Sequence, residues 1–209
     1  MGVWERHLLP RLIDACNNGP HVRQVRERMC AGLAGDVVEI GFGSGLNVPY
    51  YPSAVTRVLA VEPSDVGWGL AAGRVAASRV PVERVGLDGQ ALPLPDHSVD
   101  AALSTWTLCT IPHPDAALAE LRRVLKPGGR LTFVEHGLSP DTGVATWQRR
   151  LDPVQRRIVG GCRLTLPVLA VVQRAGFVVE RIENEYEQGA PRPIGYLYEG
   201  TAVSPASPA

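Results

Sequence analysis

Between Val37 and Gly45 the chain reads Val-Val-Glu-Ile-Gly-Phe-Gly-Ser-Gly, an apolar run with one acid that breaks into glycine at every second position. A β-branched run of this kind favours a buried strand. Glycine at that density forces a tight turn whose backbone N–H groups stand open to a ligand. A dinucleotide site asks for G-x-G-x-x-G, whose third glycine lets a helix N-terminus approach a pyrophosphate. Here Gly45 comes one residue early and Leu46 follows it. Glu39, two residues before the first glycine, would repel a pyrophosphate and suits a ligand with an amino group. S-adenosylmethionine (SAM) carries an ammonium and a sulfonium and no phosphate, so it fits this turn better than a nicotinamide dinucleotide.

Downstream, apolar runs alternate with helical patterns, the signature of a mostly parallel, doubly wound α/β sheet covered on both faces. After the first strand, Val58–Pro63, Val82–Asp88, Val99–Thr105 and Arg130–Glu135 read as strands two to five. Residues 65–79 read as a helix, and apolar positions 117, 118, 121, 124 and 125 predict another over Asp115–Leu125. Lys126-Pro127-Gly128-Gly129 predicts a turn between that helix and the fifth strand. Runs at 177–182 and 194–203, joined by the polar stretch Glu183–Gly189, are close enough to pair as an antiparallel C-terminal hairpin, which makes seven strands.

Residues 1–203 are expected to form one domain, in which 36–137 bind the cofactor and 138–203 supply the acceptor side. The segment 1–35 stands apart: Trp4, Leu8, Leu9, Leu12, Ile13 and Cys16 recur at helical spacing until Asn17-Asn18-Gly19-Pro20 interrupts them. Such a helix can pack on the sheet or close as a lid over the glycine loop, and periodicity does not separate the two. The Ser/Pro/Ala run 204–209 predicts a disordered tail.

With 21 basic and 21 acidic side chains the chain offers no electrostatic footprint for nucleic acid. Cys16, Cys30, Cys109 and Cys162 show no C-x-x-C pair and no metal-ligand spacing, so no metal is expected and reduced thiols in the cytoplasm are the plain reading. No apolar run reaches the length of a membrane span, and no secretory signal is expected. Peripheral membrane contact through residues 3–16 stays open. Nothing in the sequence sets the oligomeric state.

Ligands of open α/β sheets bind beyond the C-terminal strand ends. The first strand ends at Gly41, Gly43 and Gly45, and the second at Glu62-Pro63, where a carboxylate can accept from both ribose hydroxyls or sit as a solvent-facing acid at a helix N-terminus. The third ends at Asp88-Gly89, placed to accept from an adenine amino group or to serve as a turn aspartate. Ser104 and Thr105 end the fourth strand, and Glu135-His136-Gly137 the fifth.

The stretches VVEIGFGSGLN, VLAVEPS, DGQALPLPDHSVDAALSTWTLCTI and LRRVLKPGGRLTFVEHG, in this order, resemble the class I SAM-dependent methyltransferases of the ubiquinone/menaquinone-biosynthesis type. The resemblance implies a seven-stranded Rossmann-like methyltransferase sheet. It also implies that Glu39, Gly41, Gly43 and Gly45 cradle the methionine end of SAM, with Glu62 and Pro63 at the ribose, Asp88 and Gly89 at the adenine, and Ser104 and Thr105 near the methionine portion. From Trp106 onward, WTLCTI, EHG and LDPVQRRIVGGCRLT are similar to the animal membrane-associated alkyl-thiol S-methyltransferases. Two departures stand out. Phe42 takes the place of the usual cysteine, and the hydrophobic N-terminal anchor of the animal enzymes is expected to be missing.

Methyl transfer from a sulfonium is an in-line displacement that needs positioning and exclusion of water more than acid–base chemistry. A thiol acceptor reacts as thiolate, and an ordinary pKa of about 8.5 leaves a modest task for a base. His136 and Asp152 are the candidate catalytic groups. Each has a plainer reading: His136 as a capping or cofactor-shell histidine, Asp152 as the N-cap of a helix starting at Pro153. Cys109 and Cys162 read most simply as small buried hydrophobes. Trp106, Trp147 and Leu166 are candidates to line an apolar acceptor pocket, Trp147 equally one for helix packing.

The acceptor expected is a small lipophilic thiol, with C- or O-methylation of a quinone or phenol as the alternative. A non-catalytic SAM or S-adenosylhomocysteine binding module and an NAD oxidoreductase are the rivals from other classes. Ser-Thr-Trp-Thr stands where many N-methylating enzymes have an N-P-P-Y-like segment, which disfavours a planar amine acceptor.

Overall fold

The computed structural model describes residues 4–206. A turn of wide helix at Trp4–Leu8 leads into α1 (Leu9–Cys16), and α2 spans Pro20–Cys30. Then come β1 (Gly35–Ile40), β2 (Val55–Val61), α3 (Asp65–Ala76), β3 (Val82–Gly86), β4 (Val99–Thr105), α4 (Pro114–Val124), β5 (Leu125–His136), α5 (Thr142–Ile158), α6 (Val168–Arg174), β6 (Val178–Tyr186) and β7 (Tyr196–Val203). The seven strands form one sheet in the order β3-β2-β1-β4-β5-β7-β6. All neighbours are parallel except those of β7, which runs antiparallel to both β5 and β6.

Period-two alternation puts the two halves of the core on opposite faces of the sheet. Val38, Ile40, Leu59, Val61 and Ala102 pack with Leu118 and Leu121 of α4 and Val168 and Val172 of α6. Val37, Val58, Ala60 and Leu103 face the other way, with Val25 and Met29 of α2 and Ala71 of α3. Glu39 shares the parity of Val37, so its carboxylate is buried on the α2 face. The strand order reverses between β1 and β4, where Ile40 is level with Ser104. At such a switch point the loops after the two strands diverge and leave a crevice.

Three expectations about the elements need correction, and one helix is added to them. The break at 17–19 is followed by a second helix, α2, which opens on Pro20 because proline is pre-set for the first helical turn. Lys126–Gly129 is a bulge inside β5 and not a separate turn: Leu125 already pairs with Val99, and pairing resumes at Ala101 with Arg130. Glu183–Tyr186 continues β6 as partner of Glu199–Tyr196. The stretch reads as a loop because β6 is an edge strand whose Arg181, Glu183 and Asn184 are exposed. Asp152 does not start a helix, since α5 begins at Thr142, is capped by Asp141, and contains Pro153.

Ser204 is buried and exchanges backbone hydrogen bonds with Gly128 and Gly129 at 2.8 and 2.9 Å, so the Ser/Pro tail is tied down at its first residue. Residues 207–209 of that tail and residues 1–3 lie outside the described part. No helix among the described residues is long and apolar enough to cross a membrane. Trp4, Leu8, Leu12 and Ile13 are exposed. Segment 4–16 is fixed on its other side, where Asp14 meets Arg74 at 2.9 Å and Arg74 donates to Ser44 O at 2.8 Å. That geometry brings the segment against the glycine loop.

Candidate active site

The loop after β1 holds its shape through three glycines at φ of +66°, +60° and +74° (Gly41, Gly43, Gly45). Their reasons for being glycine differ. A Cβ on Gly41 would lie 2.1 Å from Thr107 Oγ1, so here the β4 loop presses on the β1 loop. A Cβ on Gly43 would meet nothing nearer than Gly41 O at 3.8 Å, so the space in front of Gly43 is open for a ligand.

Two buried carboxylates flank this loop. Glu62 Oε2 accepts from Gly43 N at 2.6 Å and Oε1 from Ser64 N at 2.7 Å, tying the loop to the end of β2. Glu39 Oε1 accepts from Asn47 Nδ2 at 2.9 Å, and the Tyr51 hydroxyl donates to Oε2. Burial pushes Glu39 up to about 7, against the pull of Tyr51, Asn47 and Arg26, and the nearby charge of Glu62 adds to the rise. Burial also raises Glu62, opposed by the Ser64 and Gly43 amides. Such a pair repels a pyrophosphate and favours a cation.

Arg26 of α2 is buried beside Glu39 with its guanidinium 4.8 Å from the Trp106 ring centroid. Its Nη1 donates to Asn47 Oδ1 at 2.8 Å and to Thr105 Oγ1 at 3.3 Å. Asn47 Nδ2 also donates to Thr105 Oγ1 at 3.0 Å, so Thr105, Asn47, Glu39 and Arg26 form one network under the loop. Asp88 lies exposed at the rim, with Oδ1 accepting from Gln90 N and Nε2 at 2.8 and 3.0 Å, which holds its pKa down. Gly89 sits against Ile40 and Ile111. The open cradle, the two acids and the absence of a third-glycine helix approach fit SAM.

Past β4, Trp106 takes φ of +51°, uncommon for a bulky residue, and the chain turns through Thr107–Thr110. Glu135 of β5 holds that turn. Its Oε1 accepts from Ser104 Oγ at 2.7 Å, Thr107 N at 3.1 Å and Leu108 N at 3.0 Å, and Oε2 accepts from Cys109 N at 3.0 Å. Ser104 is therefore occupied by Glu135. The turn is clamped from the other side, where Arg163 N donates to Cys109 O at 2.8 Å and the Arg163 guanidinium donates to Ile111 O.

His136, next along β5, meets two cysteine sulfurs. Its Nδ1 lies 3.6 Å from Cys162 Sγ and 3.9 Å from Cys109 Sγ, and the two sulfurs are 3.7 Å apart. The Cys109 thiol and the imidazole pull the Cys162 thiol down, while its partner Cys109 is pushed up. Burial works against a charged His136, but the Cys162 sulfur outweighs it and His136 rises. The two cysteines are buried, as expected, but as a polar cluster and not as isolated hydrophobes.

Asp152 is buried with Oδ1 accepting from Thr165 N and Oγ1, both at 3.2 Å, which ties α5 to the segment before α6. Trp147 is 54% exposed beneath Arg150, whereas Leu166 belongs to the core. Phe42 packs against Trp68 with centroids 5.4 Å apart. The site residues that spacing did not reveal are Arg26, Asn47, Tyr51 and Glu135. Asn47 and Glu135 lie within the motif stretches quoted above, and nothing local marks Arg26 or Tyr51.

Fold, switch-point crevice and loop chemistry together define a SAM-using transferase. The chain belongs to the class I SAM-dependent methyltransferases. Residues 38–133 match the family described as "Methyltransferase domain". The thiol S-methyltransferase TMT1B of Rattus norvegicus is 33% identical over 171 residues, 80% of this chain and 70% of that one. The demethylmenaquinone methyltransferase of Thermobifida fusca is 31% identical over 138 residues, 64% of this chain and 53% of that one. Among solved structures, a putative methyltransferase from Bacillus halodurans superposes with a TM-score of 0.72 at 16% identity, covering 88% of this chain and 99% of the other.

Proposed function

We propose that the protein transfers the SAM methyl group to the sulfur of a small lipophilic thiol. The observation that carries this reading is the reach of the similarity to a thiol S-methyltransferase. It extends over 171 residues, while the matched methyltransferase domain covers only 38–133, so part of it falls on the acceptor side. Gly41, Gly43, Gly45 and the network around Glu39 hold the methionine end, Glu62 and Pro63 the ribose, and Asp88 and Gly89 the adenine. Thr105 shapes the wall beside the methyl group, and Ser104 acts through Glu135. Glu39 spends its oxygens on Asn47 and Tyr51, so its part is to set the loop and the local field. SAM supplies an activated methyl group. What this chain adds is alignment at the switch point, exclusion of water by α2 and Trp106, and a place for the acceptor sulfur.

The test is S-adenosylhomocysteine release with SAM and a short alkyl thiol, run beside a matched quinol. Turnover on the thiol and none on the quinol is expected. The reverse pattern would move the acceptor to a quinone ring or phenol, and SAM binding with silence across both would favour a non-catalytic binding module.

A further inference from the structure

Cys109, His136 and Cys162 come from the turn after β4, the end of β5 and the segment between α5 and α6, 26 to 53 residues apart in sequence, yet all their ligand atoms lie within 4.8 Å of one another. Their triangle has edges of 3.7, 3.6 and 3.9 Å. A tetrahedral zinc with two thiolates at about 2.3 Å and one imidazole at about 2.0–2.1 Å would set its S–S edge at about 3.8 Å and its S–N edges at about 3.6 Å. A disulfide would need the sulfurs at about 2.0 Å. Thiol–imidazole hydrogen bonds account for the same contacts without a metal, and the match of all three edges to a tetrahedral site is what favours a cation.

The three side chains are also held from behind. Cys109 is fixed through its N–H on Glu135 and its carbonyl on Arg163 N. Cys162 reaches it because Gly161, at φ of +92°, lets the chain pass where a Cβ would sit 2.8 Å from Thr110 O. His136 is in register with Leu197 at the C-terminal end of β5. Donors of a built metal site need backbone held in place, and here hydrogen bonds hold the turn of Cys109 and the segment of Cys162.

We propose that Cys109, His136 and Cys162 bind one zinc-class cation and leave its fourth position for the sulfur of the thiol acceptor. Two thiolates and an imidazole are the donors that select zinc over magnesium or calcium, and three protein ligands with one open position is the catalytic and not the structural pattern. The thiol part rests on the function proposed above. A thiol entering the open position loses its proton to solvent and becomes a bound thiolate at neutral pH. Its lone pair then forms the new S–CH3 bond. The bond from that carbon to the sulfonium breaks, with the electron pair left on the sulfur of S-adenosylhomocysteine. The product thioether is neutral and a weak ligand, so it leaves.

The test uses the full chain kept under a phosphine reductant, stripped with a chelator and titrated with cobalt(II). One equivalent should bind with an intense thiolate-to-cobalt absorption band, and zinc should displace it. Cys162→Ser and His136→Ala should weaken cobalt binding by at least tenfold, a loss seen even when only supporting groups of a metal site are removed. S-adenosylhomocysteine binding, measured on the same variants, shows that they are folded. Adding an alkyl thiol to the cobalt protein should intensify the band, whereas a quinol should leave it unchanged.

Wild-type protein that binds cobalt no more tightly than Cys162→Ser overturns the site. Undiminished thiol methylation by fully stripped protein overturns the metal's role in catalysis and leaves the thiol reading standing. One equivalent of cobalt bound, with methylation of the quinol alone, upholds the site and sinks the thiol reading.

Discussion

Glu62 and Glu135 are both buried carboxylates at the C-terminal ends of parallel strands, but they serve different neighbours. Glu62 takes two backbone N–H groups, one from the glycine loop, and 6% of the residue still reaches solvent. Glu135 takes four donors, all between Ser104 and Cys109, and is 0% exposed. On the function proposed above, the cofactor edge rests on a carboxylate that an incoming hydroxyl can share, and the acceptor edge on one with no capacity to spare. Glu135 instead holds the turn that carries Cys109.

The sharpest way to break that contrast is Glu135→Ala. Three backbone N–H groups and the Ser104 hydroxyl would lose their acceptor in a dry interior, at a cost of about 3–5 kcal/mol. Urea unfolding should show the loss directly, and Glu135→Gln should recover part of it because an amide oxygen still accepts. A loss below about 1 kcal/mol would mean that the turn stands by itself and the contrast is false.

This division also explains what could be read from the chain. Cofactor-side chemistry is written into backbone conformation, so Gly41, Gly43, Gly45 and Glu62 sit within a short span at fixed offsets and the strand order follows from alternation. The acceptor side is assembled by convergence. Cys109 and Cys162 look like two ordinary apolar residues until the fold closes, because 53 residues separate them. His136 meets its two sulfurs only in the fold, for the same reason. Arg26 is one of several cations in the polar sequence of α2, and only the fold shows that it is buried. The polar edge of β6 reads as a loop because β6 pairs with β7 on one side alone.

Glu39 sharpens the comparison from the cofactor side. Its folded pKa of about 7 lies above the ordinary 4.5, so the folded state holds its proton over an interval where the unfolded chain has released it. Its contribution to stability is full below the ordinary value, is lost as pH rises toward 7, and above that the buried charge is a standing cost of up to about 3 kcal/mol. Glu39→Gln keeps the shape and removes the titration. The unfolding free energy of the variant relative to wild type should therefore rise between pH 4.5 and 7.5, other carboxylates cancelling in the difference. A pH-independent difference would show that Arg26, Asn47 and Tyr51 keep Glu39 charged throughout.

The smallest effect is expected at Glu62, and it should appear in binding more than in folding. Glu62→Ala frees Gly43 N and Ser64 N at the solvent edge, where water can replace the carboxylate, so the stability loss should fall well short of that at Glu135. Affinity for S-adenosylhomocysteine should drop by about 1–3 kcal/mol, roughly 5- to 150-fold by calorimetry, since a charged acceptor for the ribose is gone. Unchanged affinity would remove Glu62 from the cofactor site. An effect on folding as large as that of Glu135→Ala would show that both carboxylates are architectural, and the cradle would then owe its selectivity for a cationic ligand to the field around Glu39.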